Sequence, residues 1–165
     1  MQDLWRLPAE DLPLPAHEID RNLEKSVRRL VRWSDGDVTS IVAHDGDDPR
    51  AVALARAIVG TAAYQAAAAS PICLHEIDLL GTVAGELVSV TADLVCRDAG
   101  GSVVIGYDLG TGEPAPDRDA TTRRRARDLA LAFQAATGDL PRAVEIIHAA
   151  SGAVSRFESP AEQRT

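Results

Sequence analysis

Hydrophobic residues recur with helical spacing in the first half of the chain. Over residues 17–33 the apolar positions lie three or four apart, which predicts an amphipathic helix. The run 38–43 predicts a short strand. An alanine-rich run follows Asp48 and Pro49, a favourable N-cap and first helical residue, and predicts a second helix over 50–69.

Beyond residue 70 the period changes to the alternation that is typical of β-strands. Strands are predicted at 72–80, 87–97, 103–109, 143–149 and 153–157. A turn with two glycines at 98–101 predicts a hairpin between the second and third strands. A further helix is predicted over 119–137, and Gly138, the next residue, is its C-terminal stop signal.

Alternation also predicts which side chains share a face of the sheet. On the second strand one face should carry Val88, Val90, Ala92, Leu94 and Cys96. On the third strand, Ile105 and Tyr107 should lie on the face opposite to Val104 and Gly106.

The predicted elements form a single α/β domain with a mixed central β-sheet flanked by helices. The domain spans 17–157, after an irregular proline-containing arm over 1–16 and before a tail over 158–165. The size agrees with one domain, because the chain has 165 residues, of which 45% are hydrophobic.

The charge balance argues against a protein that coats nucleic acid. The chain has 17 basic and 25 acidic residues and a formal net charge of -8, whereas non-specific binding to phosphates needs the opposite sign. No apolar run approaches the length of a membrane span, and no basic-then-apolar leader begins the sequence. We therefore expect a cytoplasmic protein without membrane contact.

Two residue counts bear on the chemistry. The two cysteines, Cys73 and Cys96, have no CxxC partner, which argues against a structural zinc site or a four-cysteine iron–sulfur cluster. We expect both to be small buried hydrophobic residues. Sixteen of the 17 basic residues are arginine, and the only lysine is Lys25 in the first predicted helix.

Several short motifs follow one another from Gly60 onward. They are Gly-Thr-Ala-Ala-Tyr at 60–64, His-Glu-Ile at 75–77, Ala-Asp-Leu-Val at 92–95, Val-Ile-Gly-Tyr-Asp at 104–108, Gly-Thr-Gly-Glu-Pro at 110–114 and Arg-Asp-Leu-Ala-Leu-Ala-Phe at 127–133. In order and spacing this series resembles the RecB-like branch of the PD-(D/E)XK nuclease superfamily. The resemblance implies a restriction-endonuclease-like core of one helix, three strands, one helix and two strands, with an extra N-terminal helix here.

The resemblance also implies a metal-dependent active site. In such nucleases two or three carboxylates hold Mg²⁺ or Mn²⁺, which activates water and neutralises charge on the phosphate. A lysine two residues beyond the last carboxylate orients the nucleophile. The positions in this chain that match the carboxylates are Glu76, Asp93 and Asp108, as remnant metal ligands.

Other positions of the family pattern have lost their chemistry. Counted without gaps from Asp93, the D-x-K motif falls on 106–108, where Gly106 replaces the aspartate and Asp108 replaces the lysine. A two-residue shift recovers Asp108 as the carboxylate but leaves Gly110 at the lysine position. The family's helical histidine, glutamine and tyrosine are replaced by Tyr64, Asp128 and Ala132. The pattern predicts a degenerate nuclease fold.

Four arginines cluster near the start of the predicted helix at 119–137. Positive charge at a helix N-terminus opposes the helix dipole, which indicates a compensating role such as contact with phosphates or an acidic partner. The members are Arg123, Arg124, Arg125 and Arg127. The alternative is a solvated face that pairs with nearby aspartates.

These observations predict a RecB-like fold that has lost nuclease activity. It would act as a non-catalytic module in bacterial DNA recombination, repair or defence, bound to a helicase or nuclease subunit or to DNA. The acidic charge favours a protein partner over DNA. The alternatives are an active Mg²⁺- or Mn²⁺-dependent deoxyribonuclease with a displaced basic residue, and a scaffold domain with no nucleic-acid role.

Overall fold

A computed structural model of the protein describes residues 21–110 and 118–159, which contain four helices and five strands. The helices are α1 (Arg21–Trp33), α2 (Pro49–Val59), α3 (Ala62–Ala68) and α4 (Arg118–Thr137). The strands are β1 (Ile72–Val83), β2 (Glu86–Asp98), β3 (Gly101–Asp108), β4 (Ala143–His148) and β5 (Ala153–Glu158). The predicted arm, residues 111–117 and the part of the predicted tail beyond residue 159 lie outside the described residues.

The strands form one mixed sheet in the order β1-β2-β3-β4-β5. β1, β2 and β3 are antiparallel neighbours, and Asp98 opposite Gly101 closes the predicted hairpin turn. β3 and β4 are parallel, so they need a crossover connection, and α4 lies in it. β5 then returns antiparallel to β4. The α/β class with a mixed sheet flanked by helices is confirmed.

Helices cover both faces of the sheet and divide the core into two clusters. Residues of α1, α2 and α3 pack on the face that carries Leu94, Ile105 and Ile147. Residues of α4 pack on the face that carries Val104 and Ile146. The apolar stripe predicted for α4 is buried there, at Ala126, Leu129, Ala130 and Phe133.

Two local predictions are wrong for reasons of capping. The strand predicted over 38–43 is instead a single 3-10 turn over Val38–Ser40, because the Asp37 carboxylate accepts the Thr39 N–H at 2.8 Å. The single helix predicted over 50–69 is two helices bent by 72°. Thr61 starts the second one, since its hydroxyl accepts the Tyr64 N–H at 3.2 Å.

The single apolar face predicted for β2 is also wrong, because the strand changes face at Asp93. Leu94 and Cys96 lie in the cluster under α1, α2 and α3, whereas Ala92 lies in the cluster under α4. Val88 and Val90 pack against the α4 cluster as well. With a period of two, one residue out of alternation moves every later side chain to the other face.

β1 changes face at the same level of the hairpin. Glu76 lies there with a φ of 51°, in the left-handed region that non-glycine residues rarely adopt. The β1–β2 register passes from His75 opposite Leu94 to Ile77 opposite Ala92, so Glu76 and Asp93 share the level between these pairs. The two candidate carboxylates therefore lie at the break in the alternation of both strands.

Gly81 allows α4 to pack directly on β1. A Cβ added at Gly81 would lie 2.2 Å from the Cβ of Ala135. We expect Gly81→Ala to lower the free energy of unfolding by about 1–3 kcal/mol in urea denaturation, because α4 must move to admit the methyl group. Leu80→Ala is the matched control, since Leu80 is exposed and should change stability by less than about 0.5 kcal/mol. Equal stability of both variants would contradict this packing.

Candidate functional site

Asp93 lies where the two core clusters meet, and its side chain is completely buried. Arg28 of α1 reaches it from one face of the sheet, and the Nε of Arg28 donates to Oδ1 at 2.5 Å. Arg125 of α4 reaches it from the other face, with Nη2 3.5 Å from Oδ2. One carboxylate therefore links the helical layers on both faces.

The same side chains close a gap in the sheet. The pairing of β2 with β3 ends where Leu94 lies opposite Ile105. The next N–H and C=O groups of β3 that point toward β2 belong to Tyr107, and they have no main-chain partner on β2. The Tyr107 N–H donates to Oδ2 of Asp93 at 2.6 Å, and Arg125 donates to the Tyr107 carbonyl. Two side chains thus replace the missing strand partner.

Gly106 lies against Arg125 and two apolar side chains. A Cβ at Gly106 would lie 3.4 Å from Nε of Arg125 and 3.1 Å from a methyl carbon of Leu129. In the ungapped alignment, Gly106 stands where the nuclease pattern has a carboxylate. The chain therefore has an arginine side chain against a glycine at that position.

The charged side chains linked to Asp93 form an alternating and neutral series. Arg28 also donates to Glu24, one turn earlier on α1, so the series is Glu24, Arg28, Asp93 and Arg125. Burial alone would lower the pKa of Arg28, but the charges and hydrogen bonds of Asp93 and Glu24 outweigh it and raise the pKa above its ordinary value. Arg28 therefore stays charged. Burial, and after it the charge of Asp93, raises the pKa of Tyr107 well above its usual range.

The three predicted carboxylates have separate partners. Glu76 shares a level with Asp93, but its side chain is 41% exposed and lies 3.5 Å from Nη1 of Arg32. Asp108 pairs with His148 at the end of β4. In residues 21–110 and 118–159, no group of three His, Cys, Asp or Glu side chains is arranged to hold a metal ion.

The donor atoms at Asp93 do not fit Mg²⁺ or Mn²⁺. These ions need carboxylate oxygens that are open to coordination. Oδ1 of Asp93 accepts from Arg28, and Oδ2 accepts from Tyr107 and faces Arg125. The positive charge that a cation would supply is already supplied by two guanidinium groups.

Asp108 belongs to a hydrogen-bonded chain across β3, β4 and β5. Nδ1 of His148 lies 2.7 Å from Oδ2 of Asp108, and Nε2 lies 2.8 Å from the Ser155 hydroxyl. This is the order of groups in a Ser-His-Asp triad, but hydrolysis also needs N–H donors aimed at an oxyanion beside the serine. In the adjacent turn, the N–H groups of Ser151 and Gly152 donate to the His148 carbonyl instead. We assign a structural role to these three side chains, which hold the ends of β3, β4 and β5 together.

The four clustered arginines do not share one environment. Arg125 is turned toward Asp93 and Tyr107, whereas Nε of Arg124 lies 4.0 Å from Asp128, one turn further along α4. Arg123 and Arg127 are half-buried on the same helix. Contact of these side chains with phosphates or a partner remains a prediction.

Lys25, which lies outside the nuclease motifs in the sequence, lines the same groove as Glu76. A groove of about 700 Å³ separates α1 from the β1–β2 hairpin. Lys25 lines its helical side, one turn before Arg28, and Glu76 lines its strand side. Sequence reasoning missed this pairing because α1 precedes the region of resemblance, so only the packing of α1 on the hairpin reveals it.

The remaining positions of the nuclease pattern serve packing. Tyr64, at the family's histidine, is 2% exposed, and its hydroxyl donates to the Val31 carbonyl of α1 at 3.4 Å. Ala132, at the family's tyrosine, is fully buried. Asp128, at the position that matches the glutamine of the nuclease pattern, is half-buried. Burial raises the pKa of Asp128 more than the charges of Arg124 and Arg127 lower it.

Comparison with protein-family models finds no match, and neither does comparison with curated proteins. Among the described helices, none is by itself long and apolar enough to cross a membrane. α2 and α3, which are bent by 72°, pass that test only as a pair and only by length and composition.

Removal of the Asp93 charge should destabilise the fold strongly. We expect Asp93→Asn to lower the free energy of unfolding by about 3–5 kcal/mol, because Arg28 and Arg125 would keep their charges without a buried counter-ion. Urea denaturation measures the effect. Asp78→Asn is the matched control on β1, where an exposed carboxylate accepts from Thr91 at 2.7 Å, and it should cost less than about 1 kcal/mol. Similar losses in the two variants would show that Asp93 is not a central link.

Proposed function

We propose that this protein is a catalytically degenerate RecB-like PD-(D/E)XK nuclease fold, which acts as a non-catalytic binding module in bacterial DNA recombination, repair or defence. The observation that carries the proposal is that the buried Asp93 carboxylate forms ion pairs with Arg28 and Arg125. The element order supports it, since α3, β1, β2, β3, α4, β4 and β5 follow the helix, three-strand, helix, two-strand series of that fold.

A coordinated change of residues supports the loss of catalysis. Asp93 matches the aspartate of the nuclease strand motif, but glycine stands at 106 where the motif has a second carboxylate, and Arg125 lies beside it and faces Asp93. Arg28 approaches from the opposite helical layer. The Asp93 carboxylate is therefore held by two internal ion pairs in place of a cation, which supports a structural role for this site.

Contact with a protein partner suits the exposed surface better than contact with DNA. The net charge is -8, and Arg28, Arg125 and Arg156 are paired with carboxylates of their own chain. The β1–β2 hairpin meanwhile exposes Leu80 by 58% and Leu87 by 72%. Exposed apolar side chains that lie close together mark protein interaction sites. A helicase or nuclease subunit is the partner class that we propose.

The first test is a nuclease assay. We expect the wild-type protein to leave plasmid and single-stranded DNA intact in the presence of Mg²⁺ or Mn²⁺, because both oxygens of Asp93 are occupied. Gel electrophoresis of the DNA measures the result. Metal-dependent cleavage that is lost in Asp93→Ala and retained in Asp78→Asn would overturn the proposal.

A second candidate function is an active nuclease with a displaced basic residue. The observation that favours it is Lys25, which faces the same groove as Glu76 at the level of the hairpin where Asp93 lies. A lysine in this place would fill the gap in the D-x-K motif. If cleavage is observed, Lys25→Ala should abolish it, whereas Arg21→Ala, at the exposed start of the same helix, should not.

DNA binding separates the two kinds of partner. We expect the wild-type protein to bind duplex or single-stranded DNA no more tightly than the weak end of non-specific association, a Kd of about 10⁻⁴ M at physiological salt. Fluorescence anisotropy at two salt concentrations measures this. Arg124→Ala with Arg127→Ala is the informative double variant, because it spares Arg125, which holds Asp93. Micromolar, salt-dependent binding that this variant loses would favour a DNA-binding module.

A further inference from the structure

Cys73 and Cys96 face each other across the first hairpin. They are directly opposite in the β1–β2 register, and their Sγ atoms are 3.0 Å apart. Opposed residues of an antiparallel pair have Cα atoms about 4.5–5.5 Å apart. A disulfide spans about 4.4–6.8 Å between Cα atoms. The spacing of opposed residues is therefore compatible with a disulfide between these two sulfurs.

The two thiols differ in access and acidity. Cys96 is 2% exposed in the core under α1, α2 and α3, whereas Cys73 is half-buried on β1 at the edge of the sheet. The hydrogen bond with Cys96 lowers the pKa of the Cys73 thiol more than burial raises it. The same bond, followed by burial, raises the pKa of Cys96. Cys73 is thus the more readily formed thiolate and the more accessible nucleophile.

We propose that Cys73 and Cys96 are a redox-active dithiol that a peroxide oxidises to an intramolecular disulfide. The Cys73 thiolate attacks one oxygen of hydrogen peroxide and the O–O bond breaks, which gives a sulfenic acid on Cys73 and, after protonation, one water. The Cys96 sulfur gives up its proton and attacks the Cys73 sulfur. The S–O bond breaks and a second water leaves. In total, two thiols and one peroxide give one disulfide and two waters.

The position of the pair gives the disulfide a structural effect. Cys73 lies three residues before Glu76 on β1, and Cys96 lies three residues after Asp93 on β2. A cross-link there fixes the hairpin just before the level at which both strands change face. It also joins the edge strand covalently to its neighbour. This inference does not depend on the proposed function, because it needs only the register and the two sulfurs.

The test uses the full-length wild-type protein and hydrogen peroxide. After treatment and removal of the peroxide, alkylation with N-ethylmaleimide and mass spectrometry should show that both thiols are lost, and dithiothreitol should restore them. The oxidised protein should remain monomeric on a non-reducing gel. Its Tm should rise by about 5–10 °C over the reduced form, since the cross-link restricts the unfolded chain.

Two single variants assign the roles. Cys96→Ser should stop at the sulfenic acid of Cys73, which dimedone traps, and should show no rise in Tm. Cys73→Ser should lose its remaining thiol to peroxide at least about tenfold more slowly than the wild type loses Cys73. Two thiols that stay open to alkylation in the oxidised wild type, or disulfide-linked dimers in place of the internal bond, would overturn the proposal. The wild-type measurement decides the question even if a variant fails to fold.

Discussion

The buried contact of Asp93 with two arginines is the constraint on which the other features depend. Buried ion pairs are seldom stabilising when compared with well-packed apolar side chains, because both charges lose their hydration. Here the charges also replace main-chain hydrogen bonds. Asp93 accepts the N–H of Tyr107, and Arg125 donates to the carbonyl of the same residue. The loss of either side chain would leave both a buried charge and an unpaired peptide group.

The same contact gives one of the clustered arginines of α4 a defined partner. Arg123, Arg124 and Arg125 lie in the second turn of the helix, which begins at Arg118, so the dipole expected to oppose them acts mainly before them. Arg125 reaches the Asp93 carboxylate. Arg124 is offset by Asp128 one turn along. The residues that the sequence presents as one basic cluster therefore have different acidic partners, while the side chains of both Arg124 and Arg125 stay partly exposed.

Most of the helices and strands could be predicted from the sequence, whereas most of the contacts between them could not. Alternation located all five strands and the hairpin turn at 98–101, because period-two patterns report local burial. The change of face at Asp93 was missed, since Ala92 and Leu94 are both apolar and continue the alternation without a visible break. β1 changes face at the same level, where Glu76 has a left-handed backbone and the residue type gives no signal.

Two pairings were missed for different reasons. Lys25 and Glu76 line one groove only through packing between elements distant in sequence, which periodicity does not encode. The cysteine pair had a usable signal. A two-residue turn at Ala84 and Gly85 fixes the β1–β2 register and places Cys73 opposite Cys96. The strands were predicted to stop at 80 and to restart at 87, so the turn was taken for a longer loop and the register was lost.

The excess of arginine over lysine follows from how these side chains are used. A guanidinium donates several N–H groups in a fixed plane, which an ammonium group does not. Arg56 donates twice to the Ile41 carbonyl, Arg142 donates to both oxygens of Asp98, and Arg125 bridges Tyr107 and Asp93. Lysine at these positions would satisfy fewer acceptors at a similar cost in side-chain entropy. An acidic protein can therefore be rich in arginine without being built to bind phosphate, because much of its positive charge connects parts of its own fold.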